Sequence, residues 1–203
     1  MITEFENDFY VIPSIREIKN LSSTLKKDFP YVLLSNTHIG NLKSLVDCVH
    51  SSGKKAVVTV ELIRGFNLDK DGAQFLKQMF HVDAVILQNP LWTRFLKKLG
   101  IYTVLRVILM DSLSLDNSIR IVSETSCDAV EVRPAIYGLK FIDKLRKQRP
   151  DLDYFLGGFI NSQETIKQAQ QMGFKGVTLS NKSILSDEQL CSFIKQVNKR
   201  STT

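Results

Sequence analysis

Leu156-Gly157-Gly158-Phe159-Ile160 and, one helical segment later, Val177-Thr178-Leu179-Ser180-Asn181 decide the fold class of this chain. Each stretch is an apolar strand that ends in small residues and leads into a segment with a helix-capping signal. Two consecutive units of this kind form the phosphate site after strands 7 and 8 of a (β/α)8 barrel. There, main-chain N–H groups and a helix N-terminus face the anion, and glycine lets the backbone approach it closely. The two stretches therefore predict a barrel that binds a small phosphorylated molecule.

Strand and helix signals alternate over the whole chain, which predicts one domain, residues 1–203. The strands are short apolar, β-branched runs, as is typical of parallel strands buried on both faces. Eight such runs occur, at residues 9–12, 31–34, 56–60, 84–87, 102–105, 129–132, 154–156 and 176–179. Helical stripes separate them, and a last stripe is formed by Leu190, Phe193, Ile194 and Val197. We therefore predict an α/β fold, a compact (β/α)8 TIM barrel. A doubly wound open sheet shows the same alternation and is the alternative.

The composition, with 43% hydrophobic and 24% charged residues, is typical of a soluble globular protein. No apolar run reaches the length of about twenty residues that a membrane span needs. The acidic start of the chain lacks the basic residues of a signal peptide. Three cysteines, Cys48, Cys127 and Cys191, lack metal-ligand spacing, so we expect reduced structural thiols, no metal site and a cytoplasmic location. The net charge of +6 permits a polyanionic partner without requiring one.

Polar side chains follow the predicted strands at the same point of successive units, where barrels bind their ligands. Glu61 and Glu131 directly follow apolar runs, and they could accept hydrogen bonds from ligand hydroxyls. Arg106 is a cation inside an apolar strand and needs an anion, either a bound phosphate or Glu131 on the neighbouring strand. His38 could donate to a phosphate or be structural, and Asn36 lies in the same loop.

Signals for catalysis are weaker than signals for binding. No lysine ends a predicted strand inside the barrel, so Schiff-base chemistry lacks its nucleophile. A carboxylate acid–base pair drawn from Glu61, Asp111 and Glu131 stays open. An enzyme that acts on a phosphorylated metabolite, such as an isomerase, lyase or prenyltransferase, is therefore the alternative to a binding protein.

Lysine pairs occur where helices run back into strands, which places them on the face opposite the ligand mouth. The pairs that we consider for nucleic-acid binding are Lys54, Lys55, Lys97 and Lys98. Cations near helix C-termini also complement the helix dipole, so these lysines are open to a purely structural interpretation. If the face binds a polyanion, RNA is the natural partner.

Six motifs, in this order and spacing, resemble the glycerol-3-phosphate-responsive antiterminators, the GlpP family. They are His38-Ile-Gly-Asn-Leu-Lys43, Val60-Glu-Leu-Ile-Arg-Gly65, Arg106-Val-Ile-Leu-Met-Asp111, Asp128-Ala-Val-Glu-Val-Arg-Pro134, Gly157-Gly-Phe-Ile160 and Thr178-Leu-Ser-Asn181. The resemblance implies a barrel regulator that is not an enzyme and has no cofactor apart from its effector, glycerol 3-phosphate. It also implies binding of leader mRNA upstream of glycerol-utilisation genes, where the bound protein prevents a terminator from forming. A homodimer, which would double the RNA contacts, is left open.

By the same resemblance, the phosphate would be held by Gly157, Gly158, Ser180 and Asn181, and Arg106 and Glu131 would line the pocket. This chain is a divergent member, because it departs from the family pattern at strand ends. The family favours aspartate at Asn36 and Glu61, a basic residue near Asn89, a histidine near Thr59, and Leu-Pro-Gly where this chain has Arg133-Pro134-Ala135. Our hypothesis is that Arg133 supplies the cation absent at Asn89. A degenerate paralogue with a changed effector is a further alternative.

Overall fold

The computed structural model describes residues 9–187 and residue 190. Eight strands carry the barrel, and most of them begin within a residue or two of the predicted apolar runs. They are β1 (Tyr10–Ile15), β2 (Tyr31–Leu34), β3 (Lys55–Thr59), β4 (Ala84–Leu87), β5 (Tyr102–Ile108), β6 (Ala129–Arg133), β7 (Asp153–Gly157) and β8 (Gly176–Leu179).

All eight strands pair in parallel, and the sheet closes on itself. The pairs Tyr10↔Gly176 and Ser14↔Leu33 join β1 to both β8 and β2. The remaining strands follow one another in chain order around the barrel. Because β1 has a neighbour on each side, the sheet has no free edge, and the (β/α)8 barrel is confirmed over the doubly wound alternative.

Helices follow the strands on the outside of the barrel. They are α1 (Leu21–Leu25), α2 (Ile39–Ser51), α3 (Lys70–Gln78), α4 (Thr93–Lys98), α5 (Ser112–Glu124), α6 (Ala135–Gln148), α7 (Gln163–Gln171) and α8 (Lys182–Leu185). Short 3-10 turns cover Ile18–Asn20, Val60–Leu62 and Pro90–Trp92, and a small parallel pair joins Thr37–His38 to Ile63–Arg64. Apart from Leu190, the predicted last stripe of Phe193, Ile194 and Val197 lies outside the described residues, as does Cys191.

The barrel interior is sorted into three tiers, because alternate residues of each strand point inward. On β1 these are Tyr10 at the start, Ile12 in the middle and Ser14 near the end. Strand β5 repeats the order with Tyr102, Val104 and Arg106. The middle tier packs as an apolar cluster that also includes Leu33, Val57, Ile86 and Phe155. A polar tier therefore lies at the carboxyl ends of the strands and an aromatic tier at their amino ends, each opening into its own cavity.

Candidate functional site

A cavity of about 970 Å³ occupies the carboxyl end of the barrel, and we call it the C-terminal cavity. It has the size of a small-molecule site. Six of the residues singled out in the sequence line it: Asn36, Arg106, Arg133, Gly158, Ser180 and Asn181. The structure thus brings together side chains from the ends of β2, β5, β6, β7 and β8, where barrels bind their ligands.

Arg106 finds its anion inside the protein. Its Nε atom donates to Glu131 Oε2 at 2.5 Å, and the side chains of the pair are 6% and 0% exposed. The other carboxylate oxygen, Oε1, accepts from Thr178 Oγ1 at 2.5 Å. Of the two alternatives for Arg106, the structure shows the ion pair with Glu131. Both oxygens of Glu131 are engaged, and its carboxylate lies below the C-terminal cavity, whose floor is formed by its partners Arg106 and Thr178.

Gly157 lies beneath the cavity and keeps space for that floor. A Cβ atom at this position would lie 2.5 Å from Thr178 Oγ1 and 2.7 Å from Glu131 Oε1. The next residue, Gly158, has a φ of +77°, a left-handed conformation that glycine adopts without steric cost. Gly158 turns the chain at the rim, and the exposed Phe159 follows it with a φ of +57°.

Arg133 shares its nearest carboxylate, Glu131, with Arg106. Its Nε atom is buried without a hydrogen-bond partner and lies 3.9 Å from Glu131 Oε1, which is already occupied. Burial, together with repulsion from Arg106 and Arg16, lowers the pKa of the Arg133 guanidinium, and Glu131 opposes this shift only in part. Three guanidinium groups, those of Arg16, Arg106 and Arg133, line the cavity, and Glu131 pairs with two of them, so the cavity carries an excess of positive charge. An anionic ligand would relieve it.

Two predicted site residues cap helices. His38 Nδ1 accepts from Gly40 N at 3.0 Å at the start of α2, outside the cavity lining. Asn181 lines the cavity, but its Oδ1 accepts from Ser183 N and Ile184 N at the start of α8. A residue that satisfies helix N–H groups has less capacity for a ligand, and at both positions the side chain organises the loop.

Two further carboxylates lie away from the cavity. Glu61 is exposed, and its Oε1 accepts from Gln88 N at 2.6 Å, which ties the loop after β3 to the end of β4. Asp111 caps α5 by accepting from Ser114 N, and this bond lowers the pKa of the Asp111 carboxyl. Asn89 likewise caps a turn by accepting from Leu91 N at 3.1 Å.

Three lining residues escaped the sequence reasoning: Arg16, Thr59 and Thr178. Arg16 follows β1 directly, and β1 runs three residues beyond its predicted end at Ile12, so Arg16 reaches the mouth. Thr59 Oγ1 is buried without a hydrogen-bond partner. A later end for the first predicted strand would have found Arg16, whereas Thr59 and Thr178 lie inside predicted apolar runs and gave no further signal.

Nothing among residues 9–187 and 190 groups three His, Cys, Asp or Glu side chains closely enough to hold a metal ion. In the same part of the chain, no helix has the length and apolarity needed to span a membrane.

The family model for the glycerol-3-phosphate responsive antiterminators matches residues 11–185, from β1 to the end of α8. The chain belongs to this family. The match covers every strand of the barrel and all residues that line the C-terminal cavity. The resemblance carried by the six sequence motifs is thereby confirmed.

Solved structures with the same architecture include two glycerol uptake operon antiterminator proteins. The regulatory protein from Listeria monocytogenes has a TM-score of 0.82 and 24% identity, and the match covers 90% of this chain and 97% of that one. The related protein from Thermotoga maritima has a TM-score of 0.76 and 20% identity, over 89% and 99% of the two chains. At these identities the likeness shows the fold. Uncharacterized protein YgcP of Escherichia coli strain K12 is 21% identical over 86% of this chain and 90% of its own length.

Proposed function

We propose that this protein is a regulator that binds glycerol 3-phosphate in the C-terminal cavity and, in response, binds leader mRNA of glycerol-utilisation genes. The observation that carries the proposal is the buried Arg133 Nε atom, which lacks a hydrogen-bond partner and lies beside the Gly158 turn. A Cβ on Gly158 would lie 3.3 Å from Arg133 Nε, so a phosphate at this turn would meet the guanidinium directly. Membership of the antiterminator family supports the regulatory half of the proposal.

Charge and hydrogen-bonding capacity fit a phosphorylated polyol. Arg16, Arg106 and Arg133 contribute three positive charges and Glu131 removes one, so a phosphate dianion balances the remainder. The unpartnered Thr59 Oγ1 lies in the same cavity and is available to a ligand hydroxyl. The phosphate and the glycerol end thus have separate partners.

The carboxylates favour binding over turnover. Glu131 is held by Arg106 and Thr178, Glu61 by the Gln88 amide, and Asp111 by the start of α5. A general base must reach the proton that it abstracts, and each of these groups is committed to a structural bond elsewhere. The side chains at the cavity wall supply guanidinium, amide and hydroxyl groups, which bind phosphates and hydroxyls without acid–base chemistry.

The regulatory half is tested by measuring binding of a fluorescent leader transcript with and without glycerol 3-phosphate. We expect the ligand to tighten binding by at least about fivefold, a typical lower value for coupling between two sites. A scrambled transcript of equal length is the control. Leader binding that does not respond to the ligand would contradict effector-dependent regulation. Conversion of glycerol 3-phosphate during the measurement, detected by phosphorus NMR, would favour the enzyme.

A further inference from the structure

A second cavity, of about 440 Å³, opens at the amino end of the barrel, and we call it the N-terminal cavity. Its walls are the aliphatic middle tier, including Ile12, Val57 and Val104, and its floor reaches Glu131 and Thr178. It lies on the opposite side of the Arg106–Glu131 pair from the C-terminal cavity. The proposed effector site leaves it without a role.

Three tyrosines, at the amino ends of β1, β2 and β5, line the opening. Tyr10 and Tyr31 pack edge to face, with ring centroids 5.2 Å apart at 82°. Tyr102 lies on the same rim, and its hydroxyl is 3.5 Å from Asp153 Oδ2. Burial and the nearby Asp153 carboxylate raise the pKa of Tyr102, so its hydroxyl keeps its proton. The rim thus offers aromatic surface and hydroxyl groups to a planar molecule.

Lysines from three elements and one loop line the same opening: Lys55, Lys77, Lys97 and Lys175. Lys55 is exposed at the first position of β3. Lys77 Nζ donates to Gly100 O at 3.0 Å, and Lys97 Nζ lies 2.6 Å from Asp128 Oδ1.

Aspartates at the same opening are fixed by the backbone of neighbouring strands. Asp128 Oδ2 accepts from Thr103 N at 2.8 Å, and Asp83 Oδ2 accepts from Ala56 N at 2.8 Å. Cations and carboxylate acceptors therefore both line the opening of an apolar, aromatic interior.

We propose that the N-terminal cavity receives an unstacked nucleobase of single-stranded RNA, and that Lys55, Lys77, Lys97 and Lys175 contact the flanking phosphates. This inference rests on the RNA binding proposed above. A base presents two π-faces to tyrosine rings and apolar walls, and its edge carries donors and acceptors that match the tyrosine hydroxyls and aspartates. Aromatic stacking beside a lysine-lined path is the general chemistry of single-strand recognition. The volume accommodates a base and excludes a duplex.

The placement also assigns different roles to the four lysines predicted from sequence. Lys55 and Lys97 line the N-terminal cavity, whereas Lys54 Nζ donates to Lys27 O at 2.7 Å beside it. Lys98 is exposed at the end of α4 and does not line the cavity. Lys55 and Lys98 therefore form a matched pair, equal in charge and exposure but different in position.

The test measures binding of labelled single-stranded oligonucleotides of about eight nucleotides to the full chain with glycerol 3-phosphate present. Ala84 lines the cavity, so Ala84→Phe should fill it and weaken binding by about tenfold, the scale of one lost base stack. Lys55→Met should weaken binding by about fivefold, and Lys98→Met by less than twofold. Thermal melting and glycerol 3-phosphate binding report whether each variant is folded.

The outcomes distinguish a base of single-stranded RNA from a free nucleotide and from RNA that binds elsewhere on the protein. Oligonucleotide binding that follows this order, with weak or no binding of adenosine monophosphate and of duplex RNA, supports the proposal. Tight binding of the mononucleotide without oligonucleotide binding overturns it in favour of a free nucleotide site. Equal losses for Lys55→Met and Lys98→Met, or no loss for a folded Ala84→Phe, place RNA elsewhere and overturn it. If oligonucleotides fail to bind while glycerol 3-phosphate still binds, the base pocket fails and the effector site stands.

Discussion

The Arg106 guanidinium and the Glu131 carboxylate form a buried ion pair that separates the two cavities of the barrel. Arg106 lines the C-terminal cavity and Glu131 lines the N-terminal cavity, with 2.5 Å between Nε and Oε2. Thr178 lines both cavities and holds the second carboxylate oxygen. The groups proposed to bind an effector at one end are thus within one hydrogen bond of the walls of the other cavity.

Breaking the ion pair between Arg106 and Glu131 should lower the free energy of unfolding. Glu131→Gln leaves a buried guanidinium without its counter-charge, and we expect a loss of about 3–5 kcal/mol in the free energy of unfolding. Denaturant titration measures the loss. Replacing both partners, with Arg106→Met and Glu131→Leu together, should recover most of the stability, since an apolar pair of similar volume avoids the desolvation cost. A double variant less stable than Glu131→Gln would contradict this account.

Arg133 should reduce the stability of the ligand-free protein while it supports binding. A guanidinium whose pKa is lowered on folding holds its proton less tightly in the folded state, so its charge disfavours folding at all pH values below that pKa. Arg133→Leu should therefore raise the melting temperature of the free protein. It should also weaken glycerol 3-phosphate binding by about ten- to a hundredfold, the range for a lost hydrogen bond to a charged group.

The exposed Arg120 on α5 provides the control for this substitution. Arg120→Leu removes the same charge away from the cavity lining and should leave the affinity unchanged within about twofold. Differential scanning fluorimetry with and without ligand reads both effects. A fall in the melting temperature of free Arg133→Leu, or unchanged affinity, would remove Arg133 from the site.

Gly157→Ala tests the space beneath the cavity. The added methyl group would meet Thr178 Oγ1 and Glu131 Oε1 well inside contact distance, so the floor must move. We expect a cost of about 1–3 kcal/mol from overpacking, together with weaker ligand binding. Gly53→Ala is the comparison for backbone strain alone, because Gly53 has a φ of +73° and the added methyl group would meet no atom within 4 Å. A neutral Gly157→Ala would show that the floor adapts.

The thiols should differ in reactivity. Cys48 is exposed, whereas Cys127 is buried, and burial raises the pKa of the Cys127 thiol. Because the thiolate is the reactive form, we expect iodoacetamide at mildly alkaline pH to label Cys48 at least about tenfold faster than Cys127. Peptide mass spectrometry gives both rates. Equal labelling would contradict the buried environment.

The raised pKa of Cys127 also predicts that the free energy of unfolding falls as the pH rises past the pKa of the unfolded thiol, since only the unfolded chain then releases the proton.

The eight apolar runs were sufficient to predict the strands, because a parallel strand buried on both faces needs local apolar character. Closure of the barrel depends on the pairing of β1 with β8 across most of the chain, and no local pattern encodes it. The apolar context of Arg106 predicted an anion nearby, either a bound phosphate or Glu131, and the strand register places Glu131 directly opposite it.

Loop residues were harder to assign from sequence. His38 and Asn181 cap helices, and the residue types that cap a helix are those that also contact phosphates, so sequence alone leaves both roles open. Glu61 follows a strand like a site residue, yet its partner is an amide of the next unit. The aromatic tier was visible as a tyrosine at the start of three strands, but its enclosure of a cavity depends on barrel closure.

The most direct test of the effector site is calorimetric titration of the protein with glycerol 3-phosphate, with glycerol and inorganic phosphate as controls. The account predicts saturable binding of glycerol 3-phosphate that is at least about tenfold tighter than the binding of glycerol or of inorganic phosphate. It also predicts that binding weakens below about pH 6, where the phosphate takes up a second proton. No binding, or phosphate binding as tight as that of the whole molecule, would contradict the assigned effector and favour a paralogue with a changed ligand.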